Sequence, residues 1–184
     1  SVVEAPIWRY SLAVITLGLL TIKNIPSWQI IKNNFTGILL IGGIGLFGFN
    51  YFFFKGMNQT TALNGALIIG LNPALTLAFS ALILKNKLNQ FQVMGMLIAS
   101  FGVFFLLFKG DLQNLIHLET QKGDIWVFIA CIFFALHHVW VKQFSGRIAN
   151  SQLSLLAGLV CLVCLLGNAF FHHSQLPNNY LSNV

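Results

Sequence analysis

Six runs of about twenty mainly apolar residues, at positions 3–22, 35–54, 61–84, 91–108, 123–141 and 151–171, follow one another with short polar segments between them. About twenty such residues, wound as a helix, cross the roughly 30 Å of hydrocarbon in a bilayer. Inside lipid every backbone N–H and C=O must be paired within the protein, which leaves only helices or closed barrels. The runs are continuous, whereas barrel strands alternate apolar and polar residues. The sequence therefore predicts an all-α, polytopic transmembrane bundle of about six helices.

Charge content supports the same solvent. Only 8% of the 184 residues are charged, against about 25% in an average soluble domain, too few to cover a water-facing globule. A mean hydropathy of +0.79 excludes intrinsic disorder, which needs low hydrophobicity and high charge. Ten Lys and Arg give a net charge of +6, but they are scattered singly and form no basic stripe of the kind that binds nucleic acid. Cys131, Cys161 and Cys164 are too few and too deep in apolar sequence for a disulfide framework. Residues 1–10 carry Pro6 and Arg9 where a secretory signal would be apolar, so this stretch reads as the start of a span.

Orientation follows from the excess of Lys and Arg on the cytoplasmic side. Alternate loops hold Lys23, Lys32, Lys85, Lys87, Lys142 and Arg147 on one side, and on the other Lys55, Lys109 and Lys122 together with Asp111, Glu119 and Asp124. The first set is assigned to the cytoplasm of a multi-pass inner-membrane protein. With six spans both chain ends then lie outside, so the segment is expected to be a piece of a longer chain, or a truncated version, with a further helix before Ser1. The polar tail through Pro177 and Asn178 follows the last span.

From Gly56 onward, Thr60, Thr61, Ala62, Pro73, Leu88, Gln92, Gly95, Gly102 and Val103 form an ordered series that resembles the EamA-type domain of the drug/metabolite transporter superfamily. Pro6, Arg9 and Ala13 are similar to that family's second helix, and Gly123 with Asp124 is similar to the opening of its second repeat. The resemblance implies two inverted five-helix repeats around a central cavity. Residues 1–110 would supply most of the first repeat, without its first helix, and 123–184 the start of the second, so that the chain holds helices two to seven of ten. It implies gradient-driven export or exchange of small organic metabolites such as amino acids or drugs, by alternating access and without a cofactor. The partners would be the bilayer, a small-molecule substrate and a second copy in a homodimer. Asn86 departs from the family, which usually places Glu there.

The residues themselves point to a path through the third span. At 100° per residue, Thr61, Asn64, Gly65, Ile68, Asn72 and Thr76 fall within about 120° of one another. Amides facing lipid would cost several kcal/mol each, so this stripe must face the bundle or a water-filled cavity. Pro73 lacks an N–H and frees a carbonyl one turn earlier, near Ile69. Asn64 and Asn72 would line the substrate path with Pro73 as a flexing kink; the plainer reading is interhelical hydrogen bonding, worth about 0.6 kcal/mol on average.

Other candidates are weighed in the same way. Arg9 costs about 2.5 to 3.5 kcal/mol at the centre of a helix on insertion scales, and either snorkels, pairs with Glu4 or attracts an anionic group. Asn50 and Tyr51 sit where they could reach a cavity mouth or serve as cap and interfacial anchor. Trp126, Phe133, His137 and Trp140 share one face of the fifth span, as an aromatic cavity wall or as belt anchors about 21 Å apart; on the wall, His137 would be placed to accept a proton. Gly42, Gly43, Gly45 and Gly48 on the second span, and Gly95, Ala99 and Gly102 on the fourth, are small faces suited to close helix packing.

A membrane-embedded metal or redox enzyme is the rival class, suggested by His137, His138, His172 and His173 with Cys161 and Cys164. The two His pairs fall near opposite ends of their spans, too far apart for ligand bonds near 2 Å, so no metal is expected. No phosphate-cradling Gly loop precedes a Lys, which leaves a substrate or ion gradient as the driving force. A non-transporting membrane subunit is the third class, should the six-span chain be a complete product.

Overall fold

The computed structural model describes residues 4–24, 26–107 and 121–173. The linker residues Lys109, Asp111 and Glu119, the tail residues Pro177 and Asn178, and the side chains of Glu4, Val103, His172 and His173 lie outside that description. The described chain is mostly helical, with short connections: α1 Glu4–Thr21, a short α2 Trp28–Asn33, α3 Phe35–Met57, α4 Ala62–Leu84, α5 Gln90–Leu107, α6 Lys122–Phe144 and α7 Asn150–His173.

Four of these, α3, α4, α6 and α7 over Asn150–Phe171, are long and apolar enough to cross a membrane. The other two predicted spans are also helical. The apolar part of α1, Pro6–Thr21, is shorter, and α5 has 18 residues. The exterior is apolar, with Leu12 and Leu20 on α1, Ile98 and Phe101 on α5 and Val163 on α7 all exposed. Such an outside would be penalised in water and is neutral in hydrocarbon.

Helix ends follow local chemistry. Gln121 caps α6 in a capping box with Asp124, whose carboxylate accepts the Gln121 backbone N–H at 2.8 Å. Lys85 closes α4 in the left-handed region, φ 53°, where a chain commonly leaves a helix. Within α3, the glycine-rich stretch Leu40–Leu46 is wound as a π-helix, a wider turn that sequence periodicity did not anticipate and that often marks functional positions.

The helices form a row in which α1 packs on α7, α7 on α3, α3 on α6, α6 on α4 and α4 on α5. The α3–α6 seam is antiparallel: Gly45 lies against His137, Gly48 against Phe133 and Gly56 against Val127. A Cβ on Gly45 would come 2.8 Å from the His137 Cβ, so the absent side chain sets the helix separation. Gly42 turns instead toward the Ala157 backbone of α7, beside the core cluster of Ile38, Ile41, Ile148, Leu153 and Ala157. The second seam expected from sequence, Gly95, Ala99 and Gly102, is exposed, and nothing among the described residues comes within 4 Å of a Cβ built on Gly95 or Gly102. Its face of α5 points away from α4, the helix that α5 packs against.

Candidate functional site

Thr61 starts α4, its hydroxyl accepting the Asn64 N–H at 3.1 Å. The helix then runs as two pieces, Ala62–Ile69 and Asn72–Leu84. The cause is Pro73, which cannot donate to the carbonyl one turn back and so fits only the first turn of a new helix, where the N–H is orphaned anyway. Pro73 is the twelfth of the 23 residues of this span, which puts the break at its centre. The break, at Gly70–Leu71, lies just after Ile69, where a freed carbonyl was expected. At its edge the Ile68 carbonyl accepts the Leu71 N–H at 3.1 Å and the Cys131 thiol of α6 at 3.5 Å.

Beyond the break, Asn72, Thr76 and Ser80 recur every fourth residue along α4, and Phe134, His138 and Lys142 recur every fourth residue along α6. Together with Pro73 and Leu77 these residues line a cavity of about 490 Å³. Asn72 is 8% exposed, and neither its amide nitrogen nor its amide oxygen has a hydrogen-bond partner among the described residues. A buried amide left so costs on the order of 1–3 kcal/mol; the residue borders the cavity, while its two polar atoms are buried beneath that wall. At the other end Asn86 donates to the Ser80 hydroxyl at 3.5 Å. Lys142 is the one charged side chain among the described lining residues.

A second cavity, about 280 Å³, lies between α1, α3, α6 and α7. It is largely apolar, with polar groups from Tyr10, His137, His138 and Ser154. His137 Nδ1 lies 3.3 Å from the Ile41 carbonyl in the π-helical stretch. That oxygen can only accept, so Nδ1 carries the proton. His138 lines both cavities.

The remaining sequence-predicted residues are placed differently. Asn64 lies at the start of α4, its amide donating to the Asp124 carboxylate at 3.1 Å, which also accepts from the Thr60 hydroxyl; it joins two helices and does not line either cavity. Arg9 donates to the Asn50 oxygen at 2.6 Å, while the Asn50 amide donates to the Tyr10 hydroxyl at 3.1 Å and to the Leu46 carbonyl at 2.7 Å. Arg9 and Asn50 are thus brought together as a tie between α1 and α3, outside both linings, with Tyr10 connecting the tie to the second cavity. Tyr51 packs on Phe47 and Phe52.

Trp126 stacks on Phe52, which also stacks on Phe133, and it carries the Lys55 ammonium 3.7 Å from its ring centre. It belongs to the α3–α6 seam. Sequence reasoning passed over Ser80, Phe134 and Lys142 and used His138 only as a metal candidate. The four-residue recurrence on both helices is the signal that could have found them. Among the described residues no group of three His, Cys, Asp or Glu side chains is placed to hold a metal ion.

Comparison with known proteins agrees with the helical architecture. The chain is similar to the uncharacterized transporter YyaM of Bacillus subtilis, 34% identical over 161 residues, covering 85% of this chain and 52% of that protein. It is also similar to an uncharacterized transporter of Methanothermobacter thermautotrophicus, 24% identical over 142 residues, covering 75% of this chain and 41% of that protein. The chain thus spans about half the length of these curated relatives. No solved structure matches it. The model of the EamA-like transporter family matches residues 1–108, and the chain, a membrane protein by its apolar helices, belongs to that family.

Proposed function

We propose that the protein moves small organic metabolites across the inner membrane, driven by a solute or ion gradient, and that the cavity between α4 and α6 is its substrate path. The observation that carries this reading is Asn72: a buried amide with both polar atoms unpaired, at the centre of a broken span, on the wall of a cavity of about 490 Å³. Transporters place their sites near the midplane, where interrupted helices line a polar space, and small-molecule pockets are commonly about 300–1,000 Å³. Residues 1–110 supply most of the first of two inverted repeats in this reading, and 123–184 open the second.

Alternating access uses the break at Gly70–Leu71 as its hinge, and the net direction is outward. Chemistry on the solute is not part of the reading, since the lining residues present no nucleophile paired with a base. Counterflow in proteoliposomes with a panel of labelled amino acids, hydroxy acids and amines tests it. Asn72→Leu should abolish exchange of whichever solute is carried, with the protein still recovered monodisperse from detergent. Exchange at the wild-type rate would reject the cavity as the path.

A further inference from the structure

The smaller cavity, between α1, α3, α6 and α7, carries chemistry of its own that does not depend on the transport reading. Its walls are mainly aliphatic, with Val14 and Leu17 from α1, Leu46 from α3, Val141 from α6 and Leu153 and Ala157 from α7. No Lys, Arg, Asp or Glu stands among the described lining residues. An ion entering it meets no fixed counter-charge, and leaving water unpaired costs several kcal/mol. The interior therefore suits a neutral body. At about 280 Å³ it exceeds the roughly 150 Å³ that takes up one benzene ring and falls just short of the roughly 300–1,000 Å³ of drug-sized pockets. A molecule of two fused rings matches that space.

One polar group on this wall is uncommitted and has a fixed sense. The half-buried His137 borders the smaller cavity and not the larger. Its Nδ1 is turned to the Ile41 carbonyl at 3.3 Å and carries the ring proton, so Nε2 of the neutral ring holds a lone pair and can only accept. Nε2 has no hydrogen-bond partner among the described residues. It is also within reach: among the described residues, the unpaired polar side-chain atoms that are closed off from the surface are the two of Asn72, and Nε2 is not one of them. The Tyr10 hydroxyl, by contrast, already accepts from the Asn50 amide at 3.1 Å. An apolar guest without a donor strips water from Nε2 and leaves it bare, which costs free energy. A guest with one O–H or N–H satisfies it.

We infer that the cavity between α1, α3, α6 and α7 binds a small neutral molecule, an apolar body of about two rings whose single hydroxyl or N–H donates to His137 Nε2. Three probes test it: 2-naphthol, 2-methylnaphthalene and 2-naphthoate share one ring system and bear, in turn, a donor, a methyl group of similar size and a negative charge. Each is titrated by fluorescence against the protein in lipid nanodiscs at neutral pH, with empty nanodiscs subtracted to remove partition into lipid. 2-Naphthol should saturate at about five- to tenfold lower concentration than 2-methylnaphthalene, the worth of one hydrogen bond, and 2-naphthoate should not saturate. That preference is read on the wild type and needs no variant. In His137→Gln the side-chain oxygen can take the place of Nε2, whereas in His137→Asn the amide can still donate to Ile41 but is too short to reach the Nε2 position. The preference for 2-naphthol should survive in the first and vanish in the second. Ser154→Phe, at an exposed position of the same lining, should weaken both neutral probes alike.

Equal saturation by 2-naphthol and 2-methylnaphthalene would mean that the cavity reads apolar surface alone, as a lipid chain does, and would overturn the inference. Saturation by 2-naphthoate, a preference for 2-naphthol that persists in His137→Asn, or no saturable binding above empty nanodiscs would overturn it as well. None of these outcomes bears on exchange through the α4–α6 cavity, so the two readings fail separately.

Discussion

The Asp124 carboxylate accepts the Asn64 amide at 3.1 Å and thereby ties the first turn of α6 to the first turn of α4. The same carboxylate caps its own helix through the Gln121 N–H. One side chain thus holds a loop and two helix starts. Asn64→Leu should lower stability by about 1.5–3 kcal/mol, the range for a hydrogen bond to a charged group, read as a lower melting temperature in detergent. Counterflow per folded molecule should be unchanged, because Asn64 does not line the cavity.

Gly45 and Gly95 should respond in opposite ways to the same added methyl. At Gly45 the new Cβ would sit 2.8 Å from His137, and overpacking of that kind costs about 1–3 kcal/mol. At Gly95 the space is open among the described residues, and Ala is the better helix former by about 0.5–1 kcal/mol. Melting temperatures of Gly45→Ala and Gly95→Ala should therefore move down and up respectively. A fall for Gly95→Ala would mean that a segment outside the described residues covers that face.

Asn50 is 1% exposed and bonds to Arg9, Tyr10 and Leu46 at once. Replacing it by Leu strips the Arg9 guanidinium of this partner, and the loss should be about 1.5–3 kcal/mol. Asn50→Asp keeps the acceptor and adds a charge opposite Arg9, so it should melt well above Asn50→Leu. Equal melting of the two variants would show that the guanidinium gains nothing from this tie.

Pro73→Ala restores the N–H that Pro73 lacks and favours a continuous α4. The expected outcome is a protein at least as stable as the wild type but with turnover reduced about tenfold, as hinge changes commonly alter rates without touching the chemistry of the site. Comparison of counterflow rates with melting temperatures checks this. Faster exchange in the variant would remove the break from any role as a hinge.

How much of this was legible in the sequence depends on what each signal measures. Hydropathy reports the solvent around a residue, so it located the six long helices but not the short α2, and the six include α1 and α5, whose apolar faces point outward. It does not report which helices are neighbours. Asn64 and Asn72 fell on one computed stripe and were given one role, but the break at Gly70–Leu71 lies between them, and α6 presents Asp124 to the first and a cavity to the second. The cost of burying an amide was enough to single out Asn72. Lys142 was read as a topological charge, which a single helix cannot distinguish from a cavity wall. The π-helical stretch was invisible because its glycines have no side-chain periodicity, and the Gly95–Gly102 face, read as a seam, is open among the described residues.

His138 borders the larger cavity on one side of α6 and the smaller one on the other. The helix thus contributes to both linings, and one residue before His138 it meets the Gly45 backbone. Any displacement of the His138 side chain therefore alters the walls of both cavities at once.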